Sequence, residues 1–261
     1  MSDPARVEIK DSVMEVTIDR PKANAINAAT SRRLGEVFAQ FRDDPALRVA
    51  IVTGAGEKFF SAGWDLKAAA RGEETDEDHG PSGFGGIVEM YDLDKPVIAA
   101  INGYCVAGGL EIALAADIMV AAEHANFFLA EVNVGLCASP ISLKRLIDRV
   151  PRGLALDLIY SGRAIDAREA ETVGLVNQVV PAGGAMDAAR EVAARIAGAA
   201  PISVRACKEI VQKCDHLSPV EIASVQSAGG FHWFDKVYDS EDAKEGPLAF
   251  AEGRDPVWQG R

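Results

Sequence analysis

Residues 95–131 restrict the fold more than any other stretch of the chain. Lys95-Pro96-Val97-Ile98-Ala99-Ala100-Ile101 is an apolar run long enough for one buried strand. It passes through Asn102-Gly103 into Tyr104-Cys105-Val106-Ala107-Gly108-Gly109-Leu110-Glu111, a loop whose two glycines open an Ala-rich helix with a carboxylate near its start. A second carboxylate, Glu131, follows another apolar strand, Asn126-Phe127-Phe128-Leu129-Ala130. Strand, glycine loop and helix in alternation are the pattern of an α/β protein. Acidic residues at such positions fit two roles, acid–base chemistry or the polar ends of buried elements.

The flanking sequence continues the pattern. Val7, Ile9, Met14, Val16 and Ile18 alternate over residues 6–19 and predict a pair of strands. Pro21 holds Arg20 extended and Asn24 braces the turn that follows. Leu34, Val37, Phe38 and Phe41 fall at i, i+3, i+4 and i+7, the spacing of an amphipathic helix, which Asp43-Asp44-Pro45 ends. Val49–Thr53 reads as a buried strand. The Gly54-Ala55-Gly56 that follows lacks both the dinucleotide fingerprint and the P-loop Lys-Ser/Thr pair. Residues 72–86 form a long acidic, glycine-rich connection of the kind that serves as a lid or stays unstructured. His79 lies within it, where a moving loop would position a catalytic group poorly.

Ile87–Leu93 reads as the end of a helix and 117–122 as another strand. Two helical patterns between 141 and 160 part at Pro151, a short helix over 166–170 closes at Gly174, and 175–180 reads as a strand. Beyond Pro181 only helical patterns follow, over 184–198, 201–214 and 218–236. The expected division is a core at 1–195 and a helical region at 196–261. Its aromatic residues Phe231, Trp233, Phe234 and Tyr238 suit either subunit packing or packing within one chain.

At 261 residues the chain has enough length for one large core. Its net charge of −12 speaks against a nucleic-acid surface, which needs clustered Lys and Arg. Cys105, Cys137, Cys207 and Cys214 form no CxxC pair and only four histidines are present, so no metal site is expected. Free thiols, no basic-then-apolar leader pattern and no run long enough to span a bilayer lead to the expectation of a cytoplasmic protein without membrane contact. Ser61, Ser139 and Ser142 lack the Gly-x-Ser-x-Gly setting of an elbow nucleophile.

The glycine loop carries more chemistry than the serines. The first N–H groups of a helix have no intrahelical acceptor. At Gly108 an oxygen atom can approach such a group closely, and an N–H there can stabilise an oxyanion. A usable hole needs a second donor, for which the Ser61-Ala62-Gly63 turn is the candidate. Glu111 and Glu131 would then form an acid–base pair, one activating water and the other exchanging a proton with carbon. Alternatively, each is a structural acceptor for backbone N–H groups.

Four segments in order carry a family resemblance. They are Asp19-Arg20-Pro21-Lys22-Ala23-Asn24-Ala25, Phe60-Ser61-Ala62-Gly63-Trp64-Asp65-Leu66, Asn102–Glu111, and Phe128-Leu129-Ala130-Glu131-Val132-Asn133-Val134-Gly135. On these the chain resembles the enoyl-CoA hydratase/isomerase (crotonase) superfamily over essentially its whole length. Ser61–Ala70 and the tail from Ser240 to Trp258 resemble the carnitinyl-CoA dehydratase (crotonobetainyl-CoA hydratase) branch. The resemblance implies a crotonase-like spiral of ββα units, with a C-terminal helical region that builds trimers, alone or paired into hexamers. It implies an acyl-CoA thioester whose carbonyl lies between the N–H groups of Ala62 and Gly108, with no cofactor beyond the coenzyme A of the substrate. Glu111 would activate water and Glu131 would exchange the α-proton. Lys22, Ala23, Ala25, Lys58, Ser61, Gly63, Trp64, Asp65, Leu66, Gly109, Val134 and Gly135 would border the thioester, the two lysines toward its phosphates and the Trp64 ring toward a cationic acyl group.

One segment departs from the family pattern. Where the family continues after the second glutamate with Gly-Ile-x-Pro and a glycine pair, this chain has Gly135-Leu136-Cys137-Ala138-Ser139-Pro140-Ile141-Ser142. The expectation is added volume beside Glu131. Hydration of an enoyl-CoA is the leading reading. A double-bond isomerase and an acyl-CoA-binding oligomer without activity are the alternatives.

Overall fold

Three consecutive strand pairs, each divided between two sheets, organise the first part of the chain. The computed structural model describes residues 3–70, 72, 74 and 77–261. Contacts divide it into two units, Met1–Tyr91 with Val97–Ala193, and Asp92–Pro96 with Ala194–Arg261.

In the first unit β1 (Ala5–Lys10) and β2 (Val13–Ile18) form the predicted antiparallel hairpin, Ala5 opposite Ile18. Helix α1 (Ala28–Asp43) buries Leu34, Val37, Phe38 and Phe41, as their spacing requires. Asn27 caps it by accepting the N–H of Thr30 at 3.0 Å. Strands β3 (Val49–Gly54) and β4 (Phe59–Ser61) with α2 (Leu66–Ala69) make one ββα unit. Strands β5 (Val97–Ile101) and β6 (Tyr104–Val106) with α3 (Gly108–Ala115) make the next. Strands β7 (Ile118–Ala122) and β8 (Asn126–Phe128) end in a 3₁₀ turn over Glu131–Val134 instead of an α-helix. Then come α4 (Pro140–Arg149), α5 (Arg152–Ser161), β9 (Ile165–Asp166), α6 (Ala167–Thr172), β10 (Gln178–Val180) and α7 (Ala185–Ala197).

The first strand of each pair joins a six-stranded sheet ordered β1-β2-β3-β5-β7-β10, and the second a four-stranded sheet ordered β4-β6-β8-β9. Neighbouring β3, β5 and β7 are parallel, as are β4, β6 and β8. Each unit therefore advances one strand along both sheets, which is the ββα spiral anticipated above. All five residues of β5 are buried, because elements cover both faces of a central parallel strand.

Two details of this unit depart from expectation. No helix ends over Ile87–Leu93. Turns follow a 3₁₀ turn at Phe84–Gly86, since Gly85 and Gly86 take φ of 61° and 70°, outside the helical region. Tyr104–Val106 pairs as a strand instead of forming a loop. Of the 72–86 connection, Glu73, Thr75 and Asp76 lie outside the described residues. Its far end is tied to α1, where Ser31 Oγ lies 2.9 Å from His79 Nδ1 and accepts the N–H of Gly85 at 3.0 Å.

The second unit holds α8 (Pro201–Cys214), α9 (Pro219–Ser227), α10 (His232–Val237) and α11 (Glu241–Glu252). The single helix expected over 218–236 is two, because Gly229 turns the chain with φ +69°. Helix α11, with Pro247 inside it, had no periodic signal strong enough to predict it. Phe231 is buried. Trp233 donates its indole N–H to Asp94 and stacks 3.4 Å from the Arg205 guanidinium, which grips both Asp94 oxygens at 2.9 and 2.8 Å. These two rings pack within their own unit, whereas Tyr238 is exposed. Among the described residues no helix is long and apolar enough to cross a membrane.

Candidate active site

The loop between β6 and α3 and the loop after β4 end at one place in the first unit. Both follow parallel strands of the four-stranded sheet, so their carboxyl ends emerge side by side. Gly63 fits there only without a side chain. It has φ +78°, and a Cβ would stand 2.6 Å from the Gly108 nitrogen and 2.9 Å from the Val106 oxygen. Gly108 is equally confined, since a Cβ on it would meet the Phe84 ring at 2.5 Å. The two loops thus touch backbone to backbone at the wall of one cavity.

That cavity has a volume of about 640 Å³, of the size that holds small-molecule ligands. Of the predicted residues, Ala62, Trp64, Leu66, Gly108, Glu111, Glu131 and Val134 line it, joined by His79, Phe84, Cys137 and Ser139. The two carboxylates therefore share one chamber, although they stand 20 positions apart in the chain, across the rest of α3 and two strands.

Their environments differ sharply. Glu111, in the first turn of α3, is buried and bonded at both oxygens. Its Oε2 accepts the hydroxyls of Ser139 at 2.6 Å and Ser142 at 2.8 Å, and its Oε1 accepts the Ser139 N–H at 3.1 Å. Glu131 opens the 3₁₀ turn, and its Oε2 is buried with no hydrogen-bond partner among the described residues. Burial, reinforced by the negative charge of Glu111, raises its pKa from 4.5 to about 7, partly offset by its own backbone N–H. A carboxyl group poised at neutrality beside one held in a cage of donors is the arrangement of an acid–base pair with divided roles.

The first oxyanion donor needs correction. The N–H of Ala62 donates to the carbonyl of Ala23 at 2.9 Å and is committed to the fold. The next turn of chain explains this. Ile26 pairs with Trp64 as an isolated parallel bridge, with Ile26 N–H on Gly63 O at 2.7 Å and Asp65 N–H on Ile26 O at 2.8 Å. The amide of Trp64, lying between those two bonds, turns to the opposite side of the segment. No local pattern in the sequence announces that bridge, which is why the Ala62 amide read as free.

The remaining predicted positions support the loops or lie away from the cavity. Ala23 supplies the carbonyl just described, and Ala25 accepts from Arg20. Ser61 is buried, donating to Asn24 O at 2.7 Å and accepting the Gly63 N–H at 3.1 Å. Asp65 caps α2 and pairs with Arg20 at 3.1 Å. Gly109 lies against the Ser61 carbonyl, and Gly135 ends the 3₁₀ turn in the left-handed region. Lys22 and Lys58 are exposed and do not line the cavity. The Lys58 ammonium lies 5.6 Å from the centre of the Phe59 ring. Ser142 is wholly buried and its hydroxyl reaches Glu111, so the departure from the family pattern bears on the first carboxylate. Cys105 is a core thiol whose burial pushes its pKa well up.

Strand pairs stepping through two sheets, with paired carboxylates over a helix N-terminus, define an α/β enzyme of the crotonase type. The family profile described as enoyl-CoA hydratase/isomerase matches residues 8–261. The chain is 50% identical to a carnitinyl-CoA dehydratase of Proteus mirabilis over the full length of both. The crystal structure of an enoyl-CoA hydratase from Mycobacterium tuberculosis superposes with a TM-score of 0.92 at 41% identity, covering all of both chains. That of a carnitinyl-CoA hydratase from Mycobacterium avium does so with 0.77 at 41%, again covering all of both chains. The chain belongs to the enoyl-CoA hydratase/isomerase family.

Proposed function

We propose that the chain catalyses the reversible addition of water to a 2-enoyl-CoA thioester, with crotonobetainyl-CoA and carnitinyl-CoA as its preferred pair. The observation that carries this reading is the division of labour in the cavity, where one carboxylate is held by two hydroxyls and an amide and the other keeps one buried oxygen without a partner among the described residues. In the hydration direction a water held by Glu111 gives its oxygen to the β-carbon and a proton to that carboxylate. Glu131 delivers its own proton to the α-carbon, and the two carboxyl groups then re-equilibrate with solvent. Dehydration runs the same steps backwards, with ionised Glu131 removing the α-proton.

The electron pair that accumulates on the thioester oxygen meets the amides of Gly108 and, in place of Ala62, Trp64. Glu77, Glu89, Glu111 and Glu131 line the cavity together with the Trp64 and Phe84 rings, and among the described residues none that lines it is Lys or Arg. Such a chamber suits a trimethylammonium group, which negative charge and aromatic faces both attract. No cofactor takes part on this reading beyond the coenzyme A of the substrate. We place the enzyme in the cytoplasm as a homotrimer or a pair of trimers.

The test follows the absorbance of the conjugated thioester with crotonobetainyl-CoA and crotonyl-CoA in parallel. Wild type is expected to consume the first faster. Glu111→Gln and Glu131→Gln are each expected to lose about a hundredfold or more. Wild type that hydrates neither ester refutes the proposal, and undiminished turnover by Glu111→Gln moves it to double-bond isomerisation, which needs only one base.

A further inference from the structure

The segment that departs from the family pattern is the one that grips Glu111. Ser139 caps α4, with Pro140 in the first turn, and its hydroxyl also accepts the Ser142 N–H at 3.3 Å. Both hydroxyls, 2.8 Å apart, converge on Glu111 Oε2, while the Ser139 amide takes one site on Oε1. A carboxylate offers about four acceptor sites, two on each oxygen. Both hydroxyls meet Oε2 from one side and a single amide meets Oε1, so among the described residues Oε1 is the less engaged of the two oxygens. Helix geometry makes this possible. The cap and the residue three positions on lie on the same turn, so their hydroxyls point at one atom. Ser142 is wholly buried and Glu111 is 6% exposed, so solvent does not compete for these bonds.

We propose that Ser139 and Ser142 are positioning residues which hold one oxygen of Glu111 and thereby turn the other, Oε1, to the water that is added. The inference rests on the hydration reading given above. The water then binds at Oε1, and the proton it releases goes there, because two hydroxyls already face Oε2. Exchange of the α-proton through Glu131 does not pass through this pair, whose contacts are with Glu111.

This separation supplies the test. Ser142→Ala, Ser139→Ala and Ser139→Thr are compared with wild type in two reactions. One is water addition to crotonobetainyl-CoA and crotonyl-CoA. The other is solvent-deuterium exchange at the α-carbon of butyryl-CoA, followed by NMR. Both alanine variants are expected to lower kcat for water addition roughly ten- to a hundredfold, with KM within about twofold. Exchange is expected to stay within about twofold of wild type, and Ser139→Thr, which keeps the hydroxyl and the cap, to hold most of the activity. Equal loss of both reactions means a general distortion of the cavity and overturns the proposal, as does unchanged water addition in the alanine variants. Ser139→Ala decides the matter if Ser142→Ala does not fold. Wild type that exchanges the α-proton but adds water to neither ester overturns the hydration reading itself.

Discussion

Replacing Glu131 with glutamine removes a charge from a place that disfavours it, and the consequence for stability has a definite sign. In the folded protein burial and the neighbouring Glu111 raise the Glu131 pKa from 4.5 to about 7. Between those values the folded chain keeps a proton that the unfolded chain has lost. Stability therefore falls as pH rises from about 4.5 to about 7 and stays at the lower level above that. At about 1.36 kcal/mol for each tenfold change in proton affinity, the upper bound on this cost is ~3 kcal/mol. Partial exposure of the side chain brings it to about 1–2 kcal/mol. Glutamine has the shape of the protonated acid and never pays the charging term. Thermal unfolding followed by circular dichroism at pH 5.0 and 8.5 reads the difference directly. Glu131→Gln is expected to match wild type closely at the lower pH and to exceed it by about 2–6 °C at the higher. A variant that is less stable than wild type by the same amount at both values refutes the reasoning, because the carboxylate would then contribute through packing or a hydrogen bond instead of through its charge.

The same pKa governs turnover in both directions. The pair works with one proton shared between its two carboxylates whichever way the reaction runs, so kcat/KM for hydration and for dehydration is expected to fall together above pH 7, which pH profiles in the two directions will check. Gly63→Ala introduces a Cβ 2.6 Å from the Gly108 nitrogen at φ +78°; it is expected to cost about 2 kcal/mol or more in a denaturant titration and to abolish turnover. Ala107 carries φ +52° and ψ −126°, a conformation open only to glycine without strain, so Ala107→Gly is expected to raise the urea midpoint by the equivalent of about 1 kcal/mol. Glu15 is buried with Arg190 bonded to both its oxygens at 2.8 Å. Arg190→Gln leaves that carboxylate with Lys10, 3.0 Å from Oε2, as its remaining cationic partner, and is expected to cost about 1 kcal/mol at pH 7 by the same titration.

Much of this architecture is legible in the sequence, and the reason is periodicity. The alternation at Val7–Ile18 and the four-residue stripe of α1 each report which side of an element is buried. Pro151 parts α4 from α5 because a proline cannot continue a helix. The glycine pair at 108–109 and the two glutamates were visible for a different reason: few other residues allow a backbone amide or a titratable oxygen to meet a ligand at the end of a strand. Short elements were less visible. A strand of three residues such as β6 has too few alternations to register, and the break at Gly229 is a single conformational choice within an otherwise helical pattern.

From residue type and spacing alone follow the α/β class, the buried central strands and the presence of two candidate carboxylates. Those properties depend on which face of each segment is apolar and on what glycine permits, and both are local. Only the tertiary structure decided that Ile26 bridges Trp64, committing the Ala62 amide elsewhere. Only it decided that Ser142, an apparent intrusion beside Glu131, reaches Glu111 instead. Each is a hydrogen bond between groups 31 to 39 residues apart in the chain. Such a bond forms because packing has already brought its partners together, and no periodicity encodes a meeting of that kind.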